Sequence, residues 1–213
     1  MAAVGNITGL RAETFDNLQL NAGVVIKDLV YTGTGAPTDA TTLKALISGI
    51  IAGTVTNKGT LLGATRGGGT FTVTRETRTP EIDGMRYGFK GSDFVDSADA
   101  YLSTTLLEVT PDNIATLLAT GVATTSGDVT TVKMNTAIST EDYLDNVCWI
   151  GSVGSSGKLM MIVLKNAINT ADFTFTYTDK GEGTLAAEFH ARQAAVDDYD
   201  EAPFEILSFD VAA

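Results

Sequence analysis

The stretch from Gly63 to Gly91 constrains the fold more than any other part of the sequence. It opens on a glycine run at 67–69, which disfavours a helix because glycine loses the most backbone freedom on folding. Phe71 and Val73 then alternate with polar side chains, and a period of two predicts a strand with one buried and one hydrated face. Pro80 has no N–H to donate, so we expect the strand to end close to it. The polar positions of the strand are Thr72, Thr74, Glu76 and Arg78.

Two later segments repeat this alternation. Residues 172–178 and 184–191 are separated by a glycine-containing loop, and this arrangement predicts a hairpin with one polar face. Before this hairpin, residues 158–165 form an almost continuous apolar run, which is typical of a central strand buried on both faces. The polar-face positions of 184–191 are Thr184, Ala186, Glu188 and His190.

Other segments extend the β pattern along the whole chain. Asp83-Gly84 predicts a turn, because glycine accepts a positive φ without steric cost. The apolar positions in 94–109 do not share one parity, which indicates a bulge or burial on both faces. No period of 20–50 residues repeats. We therefore expect a single domain over 1–213 that is mainly β, a β-sandwich or barrel. The remaining predicted strands cover 18–31, 146–153 and 204–209, with weak strands and loops at 121–146.

One short capped helix is predicted at about 110–120. Thr110 is a favourable N-cap residue and Pro111 suits the first helical position, where no N–H is needed. Asp112 lies in the first turn, where the helix dipole favours a negative charge. Gly121 is placed to close the helix. A single amphipathic helix of this length is expected to cover one end or face of the sheet.

A long connection, 31–62, follows the first predicted strand. Asp39 is a candidate N-cap for a helix that reaches about Ile51. Its apolar stripe has two interpretations: packing on its own domain, or contact with a neighbouring subunit. Connections of this length inside a compact domain are uncommon and often functional. The stripe consists of Leu43, Leu46, Ile47 and Ile50.

The charge of the chain is negative and unevenly distributed. The formal net charge is −12, from 26 acidic and 14 basic residues. Residues 1–90 hold nine basic and seven acidic residues, whereas 91–213 hold five and 19. Proteins that bind nucleic acid tightly neutralise phosphates with clustered cations, and this composition argues against such binding.

The sequence has no apolar run of about 18 residues, so we expect no transmembrane helix. The N-terminus lacks a basic region followed by an apolar stretch, so we expect no signal peptide, and residues 1–17 are expected to form an extended arm. Cys148 is the single cysteine, which excludes an internal disulfide, and its apolar neighbours suggest a packing role.

Motifs for catalysis or cofactor binding are weak. His190 is the single histidine, so no histidine-based metal site can form, and Cys148 has no histidine near it in sequence. The glycine run after Gly63 lacks the Gly-Lys-Ser/Thr ending of a phosphate loop. The acidic residues at 197–201 do not have calcium-loop spacing. Glu76 and Glu188 are conceivable as a catalytic carboxylate pair, but nothing in the sequence brings them together. We expect no enzyme, no cofactor and no metal.

The order of these motifs resembles that of a known family. The chain carries Leu-Gly-Ala-Thr at 62–65, a glycine pair at 67–68, Thr-Phe-Thr-Val at 70–73, Ile-Asp-Gly at 82–84 and Lys-Gly at 90–91. In this order and spacing the chain resembles the major tail tube proteins of long, non-contractile phage tails. Further segments that match the same family are Ile162–Ala167, Ala202–Ile206 and 106–118. The resemblance touches most of the chain, and it lies in the order and spacing of strand and turn signatures.

This resemblance implies a structural virion protein of siphophage-like tails, assembled in the host cytoplasm. Its fold would be the tail-tube β-sandwich with one short helix and a long loop after the first strand. Six copies would form a ring, and rings would stack into a tube that holds the tape measure protein and later passes double-stranded DNA. Tail terminator and baseplate proteins would be further partners, and no membrane would be involved.

The resemblance also implies roles for particular residues. Acidic side chains would line the lumen and keep it from binding DNA, and the candidates are Glu76, Glu108 and Glu188. An ion pair with a neighbouring subunit would neutralise Arg78. The long connection would contact the next ring, through Leu43, Leu46, Ile47 and Ile50. Two alternatives remain: a surface or carbohydrate-binding β-sandwich, and the inner-tube protein of a contractile injection system.

Overall fold

A computed structural model describes residue 11 and residues 14–19, 21–154, 157–195 and 201–211. Most of the expected N-terminal arm and of the acidic segment at 197–201 lies outside the described residues. The helices are α1 (Ala40–Ile51) and α2 (Pro111–Leu117), and the strands are β1 (Val24–Lys27), β2 (Thr60–Leu61), β3 (Thr65–Arg78), β4 (Phe94–Leu106), β5 (Gly121–Ser126), β6 (Val129–Met134), β7 (Leu144–Val153), β8 (Lys158–Asn169), β9 (Phe175–Thr176), β10 (Thr184–His190) and β11 (Phe204–Phe209).

The fold is mainly β, with two facing groups of antiparallel strands joined through β8. The first group, the helix-covered sheet, has the order β2-β1-β7-β8-β11. The second, the polar-faced sheet, has the order β3-β4-β10, with β9 and the end of β8 beside β10. Because β8 has 12 residues, it pairs with β7 and β11 along most of its length and with β10 at its end. The prediction of a central strand at 158–165 is confirmed.

The main apolar core lies between the two sheets. Phe71 and Phe204 meet across it with ring centroids 5.5 Å apart, and α2 closes one end with Leu117. This is the sandwich-like arrangement that alternating strands predict. The expected inward position of Val73 is wrong, because its side chain is 36% exposed. The buried residues of this core are Val25, Leu62, Ala100, Leu102, Leu106, Leu117, Val147, Leu164, Ala167, Leu185, Ala187, Phe189 and Ala191.

Helix α1 covers the opposite face of the helix-covered sheet. Asp39 is its N-cap, and its Oδ1 accepts the N–H of Thr42 at 2.8 Å. Leu43 is fully buried against Ile26, Cys148 and Met161 of the sheet. The helix from Asp39 to Ile51 is therefore confirmed, and its stripe packs on its own domain.

Helix α2 also begins where the sequence indicates. Thr110 Oγ1 accepts the N–H of Asn113 at 3.2 Å, and Pro111 is the first helical residue. The helix ends earlier than about 120, because Ala119 has a φ of 59° and turns the chain away. Gly121 therefore starts β5 and does not close the helix. None of the helices of the described residues, α1 and α2 included, is long and apolar enough to cross a membrane.

The predicted hairpin of 172–178 with 184–191 is confirmed in part, because the two segments pair but the first strand is much shorter than expected. β10 forms as expected, but only Phe175–Thr176 pairs with it. The end of β8 occupies the same edge of β10, and Asn169 Oδ1 accepts the N–H of Glu188 at 2.7 Å. The aromatic side chains of this segment are left exposed: Phe173 is 38%, Phe175 43% and Tyr177 79% exposed.

Two other strand predictions change in detail. The first strand is shorter than 18–31 and begins after Gly23, which has a φ of 77° and where an added Cβ atom would lie 2.5 Å from Ile150 O. The bulge expected in 94–109 is present: Glu76 pairs with Ser97 and Thr77 with Val95, so β4 has one extra residue. Beyond this bulge the burial of β4 alternates until Leu106. Of the unmatched apolar residues, Tyr101 lies on the outward face of the strand, and Leu107 and Val109 follow its end.

Candidate assembly surface

The two polar strand faces found in the sequence lie on one surface. β4 pairs with β3 on one side and with β10 on the other, so Thr72, Tyr101 and His190 stand in one row. Residues directly opposite in an antiparallel sheet share a face. We name this surface, the outer side of the polar-faced sheet, the polar face. Its other members are Thr70, Thr74, Glu76, Ser97, Asp99, Ser103, Thr105, Ala186 and Glu188.

A charged network occupies the middle of the polar face. His190 lies between two carboxylates, with Nδ1 2.7 Å from Asp99 Oδ2 and Nε2 3.1 Å from Glu188 Oε1. Its ring stacks on Tyr101, with centroids 5.0 Å apart and planes inclined by 18°. The Arg192 guanidinium donates to Asp99 Oδ1 at 3.2 Å. The charge of Arg192 is thus matched by a carboxylate of the same chain, and the network joins β10 to β4.

Glu76 and Arg78 lie farther along β3. Glu76 accepts a hydrogen bond from Ser97 Oγ at 3.0 Å and remains exposed. Arg78 has its ion-pair partner within the same chain, where its Nε lies 2.7 Å from Asp96 Oδ1, and not in a neighbouring subunit as expected. The β4 bulge places Asp96 there, and Arg78 also lies 5.9 Å from the centroid of the Phe94 ring.

Glu108 is not part of the polar face. It follows the end of β4, and its carboxylate accepts the N–H of Ala64 at 2.9 Å. Gly63 has no room for a side chain there, because a Cβ atom would lie 2.4 Å from the Glu108 carboxyl carbon. The backbone carbonyl of Glu108 accepts from the Asn113 amide at 2.9 Å. Glu108 therefore ties β3 to the α2 N-terminus, so the three candidate lumen residues do not lie on one face, and Glu108 is apart from Glu76 and Glu188.

Glu76 and Glu188 share the polar face but are far apart. Their partners on β4, Ser97 and Ser103, are six residues apart, which corresponds to about 20 Å along a strand. Glycosidase carboxylates lie roughly 5–9.5 Å apart, so these two cannot act as such a pair. The described residues contain no group of three or more His, Cys, Asp or Glu side chains placed to hold a metal ion.

Burial limits what two residues singled out in the sequence, Cys148 and Leu43, can do. Burial raises the pKa of the Cys148 thiol well above its usual range, so the thiolate that would act as a nucleophile is disfavoured. Leu43 is fully buried by its own sheet, so its side chain is not available for the contact between subunits that the resemblance implies. Leu46, Ile47 and Ile50 are half-buried against the same core, so the stripe is chiefly a packing surface.

The outer half of the β3–β4 pair was not recognised from the sequence. Residues 73–98, which we name the distal hairpin, extend beyond the sandwich and are exposed except at Pro80, Met85 and Ser92. An alternating strand normally indicates one buried face, and here no other strand of the described residues covers it. The signal was the charged ending of β3, since Arg75 to Arg78 holds no apolar side chain. The exposed large apolar residues are Val73, Ile82, Tyr87, Phe89, Phe94 and Val95.

Comparison with known proteins adds no family to this picture. No protein-family model matches the sequence, and no curated protein does either.

Proposed function

We propose that this chain is the structural subunit of a phage tail tube, in which rings of six copies stack into a hollow conduit for double-stranded DNA. The observation that carries the proposal is the polar face: three adjacent antiparallel strands present hydroxyl and carboxylate groups on one side and the apolar core on the other. Such a sheet suits the wall of a water-filled channel, because one side stays hydrated while the other is anchored.

The charge of the polar face supports a wall that does not bind DNA. Glu76, Asp99 and Glu188 contribute carboxylates, while Arg192 is held by Asp99 at 3.2 Å. A polyanion gains affinity by releasing counterions to clustered cations, and a surface whose cations are already paired offers little of that gain. DNA would therefore move past such a wall without sticking.

The strand order supports assembly of copies side by side. β3 has 14 residues and pairs only with β4 among the described strands, so its outer edge presents unpaired backbone groups. Long open edges promote pairing with other chains, and a closed ring removes them. We infer that β3 of one copy continues the sheet of its neighbour. The tape measure, terminator and baseplate proteins would be partners of the finished tube in a virion tail.

Negative-stain electron microscopy of the purified protein, at rising concentration and with preassembled tails as nuclei, tests this function. Rings or tubes of six-fold symmetry with a central channel are the expected result. A protein that stays monomeric under all these conditions would overturn the proposal. Non-contractile and contractile machines share this architecture, and the presence of a sheath around native tubes would separate them.

A second candidate is a carbohydrate-binding β-sandwich. It is favoured by the exposed aromatic side chains beside β9, where the rings of Phe175 and Tyr177 lie 5.9 Å apart. Aromatic faces stack on sugar rings, and clusters of this kind occur in such modules. A glycan array decides: specific binding that is lost in Tyr177→Ala would favour this candidate over the tube.

A further inference from the structure

The distal hairpin is an apolar surface that its own domain leaves uncovered. Tyr87 is 85% exposed, Phe89 69% and Ile82 63%, all near the tip. Val73 at 36% and Val95 at 55% are exposed on the strands. Concentrated exposed apolar side chains of this kind mark contact surfaces, because leaving them in water is unfavourable.

No third strand or helix of the described residues packs on the distal hairpin to stabilise it. Outside the sandwich it is a two-stranded ribbon, and such ribbons are marginally stable in water without packing on a third element. Within it, Arg78 binds Asp96 at 2.7 Å and Thr79 Oγ1 donates to Asp93, so its polar groups hold its shape. A ribbon whose conformation is held by its own polar contacts, but which packs on no other element, is suited to bind another surface.

The charge of the distal hairpin favours a second copy of the chain as its cover. The whole chain carries −12, so two copies repel each other over most of their surfaces. Residues 73–98 contain four basic and five acidic residues, which makes this segment nearly neutral. Two copies therefore approach with less repulsion through this hairpin than through residues 99–213, which hold five basic and 17 acidic residues. Its 26 residues also match the roughly 20–30 residues that each side of a standard protein interface contributes.

We propose that a second copy of this chain covers the distal hairpin and that Tyr87 and Phe89 are its main anchors. The proposal rests on the proposed function in one respect, because it takes self-assembly as the role of the chain. It adds the surface through which copies recognise each other. Next to the hairpin, Ala98, Ala191 and Phe204 line part of a groove of about 690 Å³, in which side chains of a second copy have room to pack.

The test compares two double variants in the full chain. Tyr87→Ser with Phe89→Ser removes the anchors, and Val122→Ser with Val129→Ser makes a matched change on the β5–β6 hairpin, whose side chains are also exposed. Because all four positions are exposed, both variants are expected to fold. We expect the first to raise the concentration needed for self-association at least about tenfold, and the second to leave it close to that of the wild type.

Hydrogen exchange separates this inference from the proposed function. Amides of 73–98 are expected to exchange more slowly in the associated wild-type protein than in the monomer. Rings or tubes in which 73–98 exchanges as fast as in the monomer would overturn the inference and leave the tube function standing. Dimers or trimers that protect 73–98 without forming rings would support the inference and contradict the tube. A protein that never self-associates would overturn both.

Discussion

His190 Nδ1 lies 2.7 Å from Asp99 Oδ2, and this contact joins β10 diagonally to β4 on the polar face. The histidine ring is kept in place by Tyr101 beneath it and by Glu188 on its other nitrogen. Two strands that are far apart in sequence are thus held together on their hydrated side as well as through the core.

Replacing His190 with alanine is expected to lower the free energy of unfolding by about 1–2 kcal/mol, since a partly buried hydrogen-bonded group is lost. Urea unfolding measures this. Thr74→Ala, on the exposed part of the same face, is the control and should change stability by less than about 0.5 kcal/mol. Equal effects of the two variants would show that the network does not stabilise the sheet.

If the polar face lines a channel as proposed, a cation added to it is expected to make the assembled tubes retain DNA. Ala186 is exposed on β10, so Ala186→Lys adds a charge without removing a partner. Ala123→Lys makes the same change on β5, away from the polar face. Tubes of the first variant should retain double-stranded DNA at low salt and release it at high salt. Equal retention by both variants would argue against the polar face as the channel wall.

Leu43→Ala is expected to destabilise the monomer by about 2–5 kcal/mol, because it leaves a cavity under α1. Thermal or urea unfolding below the association concentration measures this. Lys44→Ala, on the exposed side of α1, should have little effect. If Leu43→Ala left monomer stability unchanged and impaired assembly alone, the stripe would be a subunit contact after all.

The free energy of unfolding of the Asp28→Asn variant, relative to that of the wild type, should increase as pH rises. Burial is the main cause that raises the pKa of Asp28 above its ordinary value of 3.8. A carboxyl whose pKa is raised by folding contributes stability below the unfolded pKa, and loses it as pH rises through the folded one. Asparagine keeps an oxygen that accepts the Asp145 N–H and does not titrate.

We therefore expect the two proteins to be closest in stability near pH 3 and the variant to be ahead at pH 7, in paired urea titrations. The difference between variant and wild type isolates this group from the other carboxyls. A difference that stays the same across this range would contradict the assignment.

Local signals in the sequence predicted the elements that depend on neighbours in the chain. Thr110 and Asp39 marked both helix starts, because an N-cap acts within three residues of itself. Alternation identified β10, and a continuous apolar run identified β8, since side-chain period reports which faces are buried. The sandwich-like fold class follows from these elements.

The candidate surface depended on pairings that no local pattern specifies. Only the tertiary structure placed β3 and β10 on either side of β4, and so combined two polar strand faces into one. It also removed Glu108 from that face, buried Leu43 in its own domain and left the distal hairpin uncovered. The physical reason is that strand neighbours are chosen by burial of the whole core, whereas alternation records only that a face is apolar, not what covers it.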